Sequence, residues 1–204
     1  MQLILISPDK DIPGEIGMLI SMFKSGLQRY HLRKPGFTID QYTACLKSIP
    51  LEFHQRIVIT DFFELSNQFG IGGMHFNAHV RNANKSPELQ AVSHTFTIST
   101  SFHSWQEIMD NHLPFDYVFI SPVFNSISKP GYQGQVKLND LRKVKQVIGF
   151  KASCPAIIGL GGVDQANIHF LADNGFDGAA VLGAVWLSDD PLEELKKIMN
   201  CINI

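Results

Sequence analysis

Short apolar runs alternate with helix-patterned segments from one end of the chain to the other. Runs rich in Ile, Val, Leu and Phe predict strands at Leu3–Ser7, Gln28–Leu32, Arg56–Thr60, Gly73–Phe76, Thr95–Ser99, Tyr117–Ser121, Ala156–Leu160 and Gly178–Leu182. Such runs, short and apolar throughout, are what parallel strands covered on both faces require. Between them, spacings of three and four predict helices. Thr38 precedes Ile39, Tyr42, Leu46 and Ile49; Asn139 and Asp140 open a segment with Leu141, Val144 and Val147. Asp164 stands before Ile168 and Leu171, and Asp190-Pro191, a helix-start signal, before Leu192, Leu195, Ile198 and Met199. The fourth crossover, His79–Leu89, is polar, holds Pro87 and reads mostly as loop.

Eight strands with eight crossovers predict a (β/α)8 barrel, one domain over residues 1–204. A doubly wound open sheet is the rival, and it calls for a Gly-rich turn after the first strand. Here that turn is Ser7-Pro8-Asp9-Lys10. Shared among eight units, 204 residues give about 25 each, well below a typical barrel of ~250. The site must therefore be built from strand ends and short loops.

Composition narrows the partners. Lys and Arg total 17 against 19 Asp and Glu, with no block of either sign. That argues against a nucleic-acid surface, which needs a basic stripe. No apolar run approaches the ~20 residues of a membrane span, and the opening Met1–Pro8 reads as a first strand, not a signal peptide. Three scattered cysteines, Cys45, Cys154 and Cys201, predict neither a zinc site nor a disulfide framework and point to the cytoplasm. A homo-oligomer is left open.

A barrel places function at the C-terminal strand ends. The seventh strand ends in Gly161-Gly162 and the eighth in Leu182-Gly183, each just before a helix signal. Loops of that kind bring backbone N–H groups close to an anion, and the seventh and eighth loops of such barrels often hold phosphate. The plainer explanation is tight packing. After the sixth strand, Ser126, Ser128 and Lys129 offer two hydroxyls and one ammonium to phosphate oxygens, or form a solvated loop. Arg33 and Lys34 end the second strand as adjacent cations, which a bound anion or a neighbouring carboxylate such as Asp61 would relieve. Asp61 itself suits Mg2+ shared with a substrate phosphate, or a helix cap. His31 and His103 are the histidines that can face the mouth, while His75 is expected to bond inside the barrel.

At these residues the chain resembles the thiamine-phosphate synthase family and its relative, the thiazole tautomerase. Tyr30-His31-Leu32-Arg33 resembles the family's Q-L-R-x-K, Ile59-Thr60-Asp61 its I-N-D, and Gly73-Met74-His75-Phe76 its G-V-H-L. Ser101-Phe102-His103 is similar to S-x-H, and Asp116-Tyr117 through Lys129 to D-Y-x-x-x-G-P-x-F-x-T-x-T-K. The resemblance implies transfer of an aminopyrimidine methylene from its pyrophosphate to the nitrogen of a thiazole phosphate, with Mg2+ assistance. It places Arg33, Ser101 and Lys129 on the pyrophosphate, with His31, Lys34, Thr60, Ser126 and Ser128 around the substrates. Asp61 would hold the metal, and Gly161, Gly162, Leu182 and Gly183 the thiazole phosphate. The stretch His75–Lys85 holds no Asp or Glu, so the family's second metal carboxylate has no counterpart. Two other readings stay open: an isomerase using His31 or His103 as acid/base, and a non-catalytic protein binding only the thiazole phosphate.

Overall fold

The computed structural model describes residues 1–83, 95–125, 134, 136–149 and 154–202. Eight parallel strands pair in sequence order and close on themselves, β1 through β8. They are β1 (Gln2–Ile6), β2 (Arg29–Leu32), β3 (Ile57–Ile59) and β4 (Gly73–Phe76), followed by β5 (Thr97–Phe102), β6 (Tyr117–Ile120), β7 (Ala156–Leu160) and β8 (Gly178–Val181). The predicted single barrel is the fold. The opening apolar run is β1, and it closes the ring by pairing with both β2 and β8.

Around the barrel lie α1 (Glu15–Lys24), α2 (Ile39–Lys47), α3 (Leu65–Phe69), α4 (Ala78–Ala83) and α5 (Trp105–Asp110). Further along lie α6 (Leu141–Ile148), α7 (Ile168–Asp173), the single-turn α8 (Gly183–Trp186) and α9 (Pro191–Ile202). Local chemistry sets their starts. Thr38 and Gln41 form a reciprocal capping box on α2, and Asp190 Oδ1 accepts from Glu193 N at the head of α9. Asp164 accepts from Ala166 N and Asn167 N, making the turn that precedes α7.

Two segments depart from the apolar pattern. The fourth crossover opens as a helix, because Asn77 Oδ1 accepts from Val80 N and starts α4; the rest of that polar stretch, from residue 84, lies outside the described residues. β5 begins at Thr97 and runs through Ser99, Thr100 and Ser101, two residues later than the apolar pattern suggests. Polarity hides its end: Ser99 and Ser101 bond an imidazole inside the barrel, and Thr100 Oγ1 donates to Phe76 O.

The main core lies between sheet and helices, with fully buried Leu5, Leu19, Tyr30, Leu46, Ile59, Ile98, Ile157 and Leu195. A smaller cluster, Ile4, Ile6, Tyr117, Phe119, Ile158 and Ala180, fills the barrel interior. That plug forms the floor beneath the C-terminal mouth. Among the described residues, no helix is long and apolar enough to cross a membrane.

Candidate active site

A cavity of about 760 Å³ opens at the C-terminal mouth, within the usual range for small-molecule sites. Its floor is apolar, formed by Ile6, Phe119, Leu160 and Ala180. Every described residue singled out from the sequence lines it: His31, Arg33, Lys34, Thr60, Asp61, Ser101, Gly161, Gly162, Leu182 and Gly183. Ser126, Ser128 and Lys129 lie outside the described residues. Nothing in their sequence separation brings these groups together; closure of the barrel does.

The β2 end is held by its own carboxylates. Ser7 Oγ donates to Arg33 O at 2.7 Å and accepts from Arg33 N at 2.8 Å, stapling the loop after β1 to the loop after β2. The Arg33 guanidinium pairs with Asp9, rather than with Asp61, and both side chains stay more than two-fifths exposed. Lys34 also lines the cavity, but its ammonium is buried against Glu15 at 2.6 Å and lies 3.2 Å from Asp11. Glu15 is buried too, and its other oxygen accepts from Tyr30 OH at 3.0 Å. Lys34 is thus committed to a buried network, and Arg33 is the more exposed cation of this loop at the cavity.

Asp61 is the carboxylate among the described lining residues. Thr60 Oγ1 donates to it at 2.8 Å. The helix-capping role is not found, since α3 begins later, with Glu64 at its N-cap position. Phe62 turns the chain immediately after Asp61 at φ 53°, a conformation costly for an aromatic residue. Among the described residues no group of three His, Cys, Asp or Glu is arranged to hold a metal. Mg2+ needs only one or two carboxylates when substrate phosphates complete its shell, and Asp61 meets that minimum.

Two histidines project from the barrel interior, side by side. His31 Nε2 lies 2.6 Å from Tyr117 OH, and the His31 and His75 rings are 5.3 Å apart. His75 Nδ1 lies 2.9 Å from Ser99 Oγ, and its Nε2 3.1 Å from Ser101 Oγ. Burial holds both imidazoles neutral. The His31 pKa falls well below the usual value, from burial first and then from His75 and Arg29. That of His75 falls to about 3, from burial first and then from the charges of Arg33 and Arg81. Burial likewise raises the Tyr117 phenol to about 12. The sequence places His75 inside the barrel; that it also lines the cavity follows from the pairing of β4 with β5. His103 sits at the rim, where Nδ1 lies 2.9 Å from Ser121 O. A carbonyl only accepts, so Nδ1 carries a hydrogen.

The opposite wall is backbone. Gly161 and Gly162 have φ of 100° and 68°. A Cβ at Gly161 would come within 2.9 Å of Pro122, and one at Gly162 within 2.1 Å of Asn125 O. The packing explanation for these glycines is therefore sufficient, and it also leaves their backbone bare at the cavity. Beside them, α8 starts at Gly183 with no side-chain cap. The N–H groups of Val185 and Trp186 donate to Leu182 O, so within this turn those of Gly183 and Ala184 lack an intrahelical acceptor. Trp186 Nε1 donates to Ile6 O at 2.7 Å, anchoring this turn to β1.

A family model described as thiamine monophosphate synthase matches residues 4–185. The thiamine-phosphate synthase of Limosilactobacillus reuteri is 23% identical over 98% of this chain and 95% of its own length. That of Listeria monocytogenes is 25% identical, covering 90% of this chain and 87% of its own. The crystal structure of thiamine phosphate pyrophosphorylase from Bacteroides thetaiotaomicron superposes with a TM-score of 0.77 at 27% identity, over 100% of this chain and 98% of that one.

Proposed function

Because the chain belongs to the thiamine monophosphate synthase family, a family of transferases, we propose that it joins a thiazole phosphate to an aminopyrimidine methyl pyrophosphate and releases pyrophosphate. The observation that carries this reading is one cavity with two anion-suited walls across an apolar floor. Arg33 and Ser101 stand on one wall; Gly161, Gly162 and the head of α8 stand on the other. Two phosphorylated heteroaromatic rings can lie between them.

The thiazole nitrogen supplies its lone pair to the pyrimidine methylene carbon as the carbon–oxygen bond to pyrophosphate breaks. The pair in that bond leaves with pyrophosphate, and the thiazole becomes a thiazolium. No proton moves at the reacting carbon. What the site must supply is stabilisation of leaving-group charge, usually the largest catalytic term. Arg33 offers its guanidinium and Ser101 its hydroxyl. In the His75 tautomer with hydrogen on Nε2, Ser99 donates to Nδ1 and Ser101 Oγ accepts from Nε2. The Ser101 hydrogen is then free for a phosphate oxygen. Neutral imidazoles suit this role, since they orient hydroxyls without titrating at neutral pH. Asp61 would hold Mg2+, which when bound would neutralise pyrophosphate charge; the family resemblance implies the same group for Lys129.

An isomerase reading rests on His103, whose Nε2 at the rim, without a partner among the described residues, is the imidazole nitrogen best suited to proton transfer. One experiment separates the readings. Purified protein is mixed with thiazole phosphate, aminopyrimidine pyrophosphate and Mg2+, and thiamine phosphate is measured. Product formation that falls at least a hundredfold in Arg33→Ala and is kept in His103→Ala supports the transferase. No product beside an active control synthase overturns it. Thiazole phosphate binding without any turnover would mark a binding protein.

A further inference from the structure

Arg81 does not line the cavity, yet it holds the strand end that does. From α4 its Nη1 donates to Ser101 O at 2.5 Å and to Thr100 Oγ1 at 3.0 Å. The guanidinium carbon lies 4.4 Å from the centre of the Phe102 ring. Charge-assisted bonds to a carbonyl exceed neutral ones in strength, and a cation over an aromatic face adds to them. Inside the barrel, Ser101 Oγ meets His75 Nε2 at 3.1 Å. From His75 the chain runs through Phe76 and Asn77 directly into α4. A ring therefore closes: His75 to Arg81 along the backbone, Arg81 to the Ser101 carbonyl, and the Ser101 hydroxyl back to His75.

Two further bonds brace the ring. Asn77 Oδ1 starts α4, and Thr100 Oγ1 donates to Phe76 O at 2.5 Å. Among the described residues no carboxylate lies within ion-pair distance of Arg81, although the charge of Glu107 reaches it from farther off. The charge of Arg81 is felt in turn at His75, alongside that of Arg33. A guanidinium outside any direct ion pair with a described residue thus stands just behind the wall that offers Ser101 to the cavity.

We propose that Arg81 is a positioning residue for the anion site, fixing Ser101 through its carbonyl and adding positive charge behind it for a pyrophosphate group. The inference rests on the reading of Ser101 as a pyrophosphate contact. Its test uses inorganic pyrophosphate titrated calorimetrically with Mg2+ present, so that binding is read apart from turnover. Arg81→Gln is expected to weaken pyrophosphate binding at least tenfold, and Arg81→Lys, which keeps the charge but not the planar fork, severalfold. In turnover, KM for the pyrimidine pyrophosphate should rise while KM for thiazole phosphate stays unchanged. A loss of folding alone would not split the two constants.

Wild-type pyrophosphate affinity in a folded Arg81→Gln overturns the inference, as does an equal rise in both KM values. Should Arg81→Gln fail to fold, Arg81→Lys carries the test, and wild-type affinity there overturns it. If the unmodified protein binds pyrophosphate tightly but makes no thiamine phosphate, the proposed reaction fails while Arg81 keeps its assignment. If it binds no pyrophosphate, both fall.

Discussion

The guanidinium of Arg33 meets the carboxylate of Asp9 at the cavity mouth, joining the loop after β2 to the loop after β1. In the proposed reaction, an incoming pyrophosphate competes with Asp9 for the same donors. The pair is exposed, and exposed pairs are worth only about 0.2–1 kcal/mol. Asp9→Asn should therefore lower KM for the pyrophosphate substrate by up to about fivefold, with the gain shrinking as salt is added. Steady-state kinetics at two ionic strengths would read this. A raised KM would mean that Asp9 assists the substrate rather than competing with it.

Lys34 and Glu15 make the contrasting case, because both are buried. Removing one partner leaves a charge without solvent or counter-ion, a loss on the order of 3–5 kcal/mol. Lys34→Met should accordingly show a large drop in urea midpoint. Because the ammonium faces Glu15 and Asp11, any protein that remains folded should keep its KM values within about twofold of wild type, by the usual size of indirect effects. A selective rise in KM for the pyrophosphate substrate would instead make Lys34 a ligand contact.

His75 ties stability to pH. Its folded pKa, about 3, lies below the ~6.5 of an unfolded histidine. Between those values the unfolded chain binds the extra proton, so stability is full above pH ~6.5 and declines as pH falls toward 3. At pH 5 the loss from this one group is about 2 kcal/mol, and His31 acts in the same direction. Urea denaturation at pH 7 and pH 5 tests it. His75→Gln should flatten the slope, and an unchanged slope would show that His75 does not titrate with unfolding.

The glycines divide by environment. Gly17 lies in α1 on an ordinary helical backbone, and a methyl placed there would meet nothing within 4 Å. Gly17→Ala should stabilise the fold by about 0.5–1 kcal/mol. Gly162→Ala meets both a left-handed backbone and Asn125 O, and should cost more than the ~1 kcal/mol of backbone strain alone. Thermal melts of the two variants should shift in opposite directions; shifts of the same sign would refute the assignment.

The apolar pattern determined the barrel, because strands buried on both faces must be apolar throughout, and eight of them with crossovers have few ways to close. It ended β5 at Ser99, short of Phe102, because that strand is polar where it serves the site. That Arg33, Asp61, Ser101 and the paired glycines line the cavity was legible from their positions at strand ends. Arg81 was not, since a lone arginine in a polar crossover gives no signal until α4 is laid against β5. Only the tertiary structure could decide which cations are buried with their partners. Lys34 and Arg33 are neighbours in sequence, yet one is buried against Glu15 while the other faces the cavity. Pattern along a chain reports which residues are buried; which charge meets which partner depends on contacts between segments far apart in it.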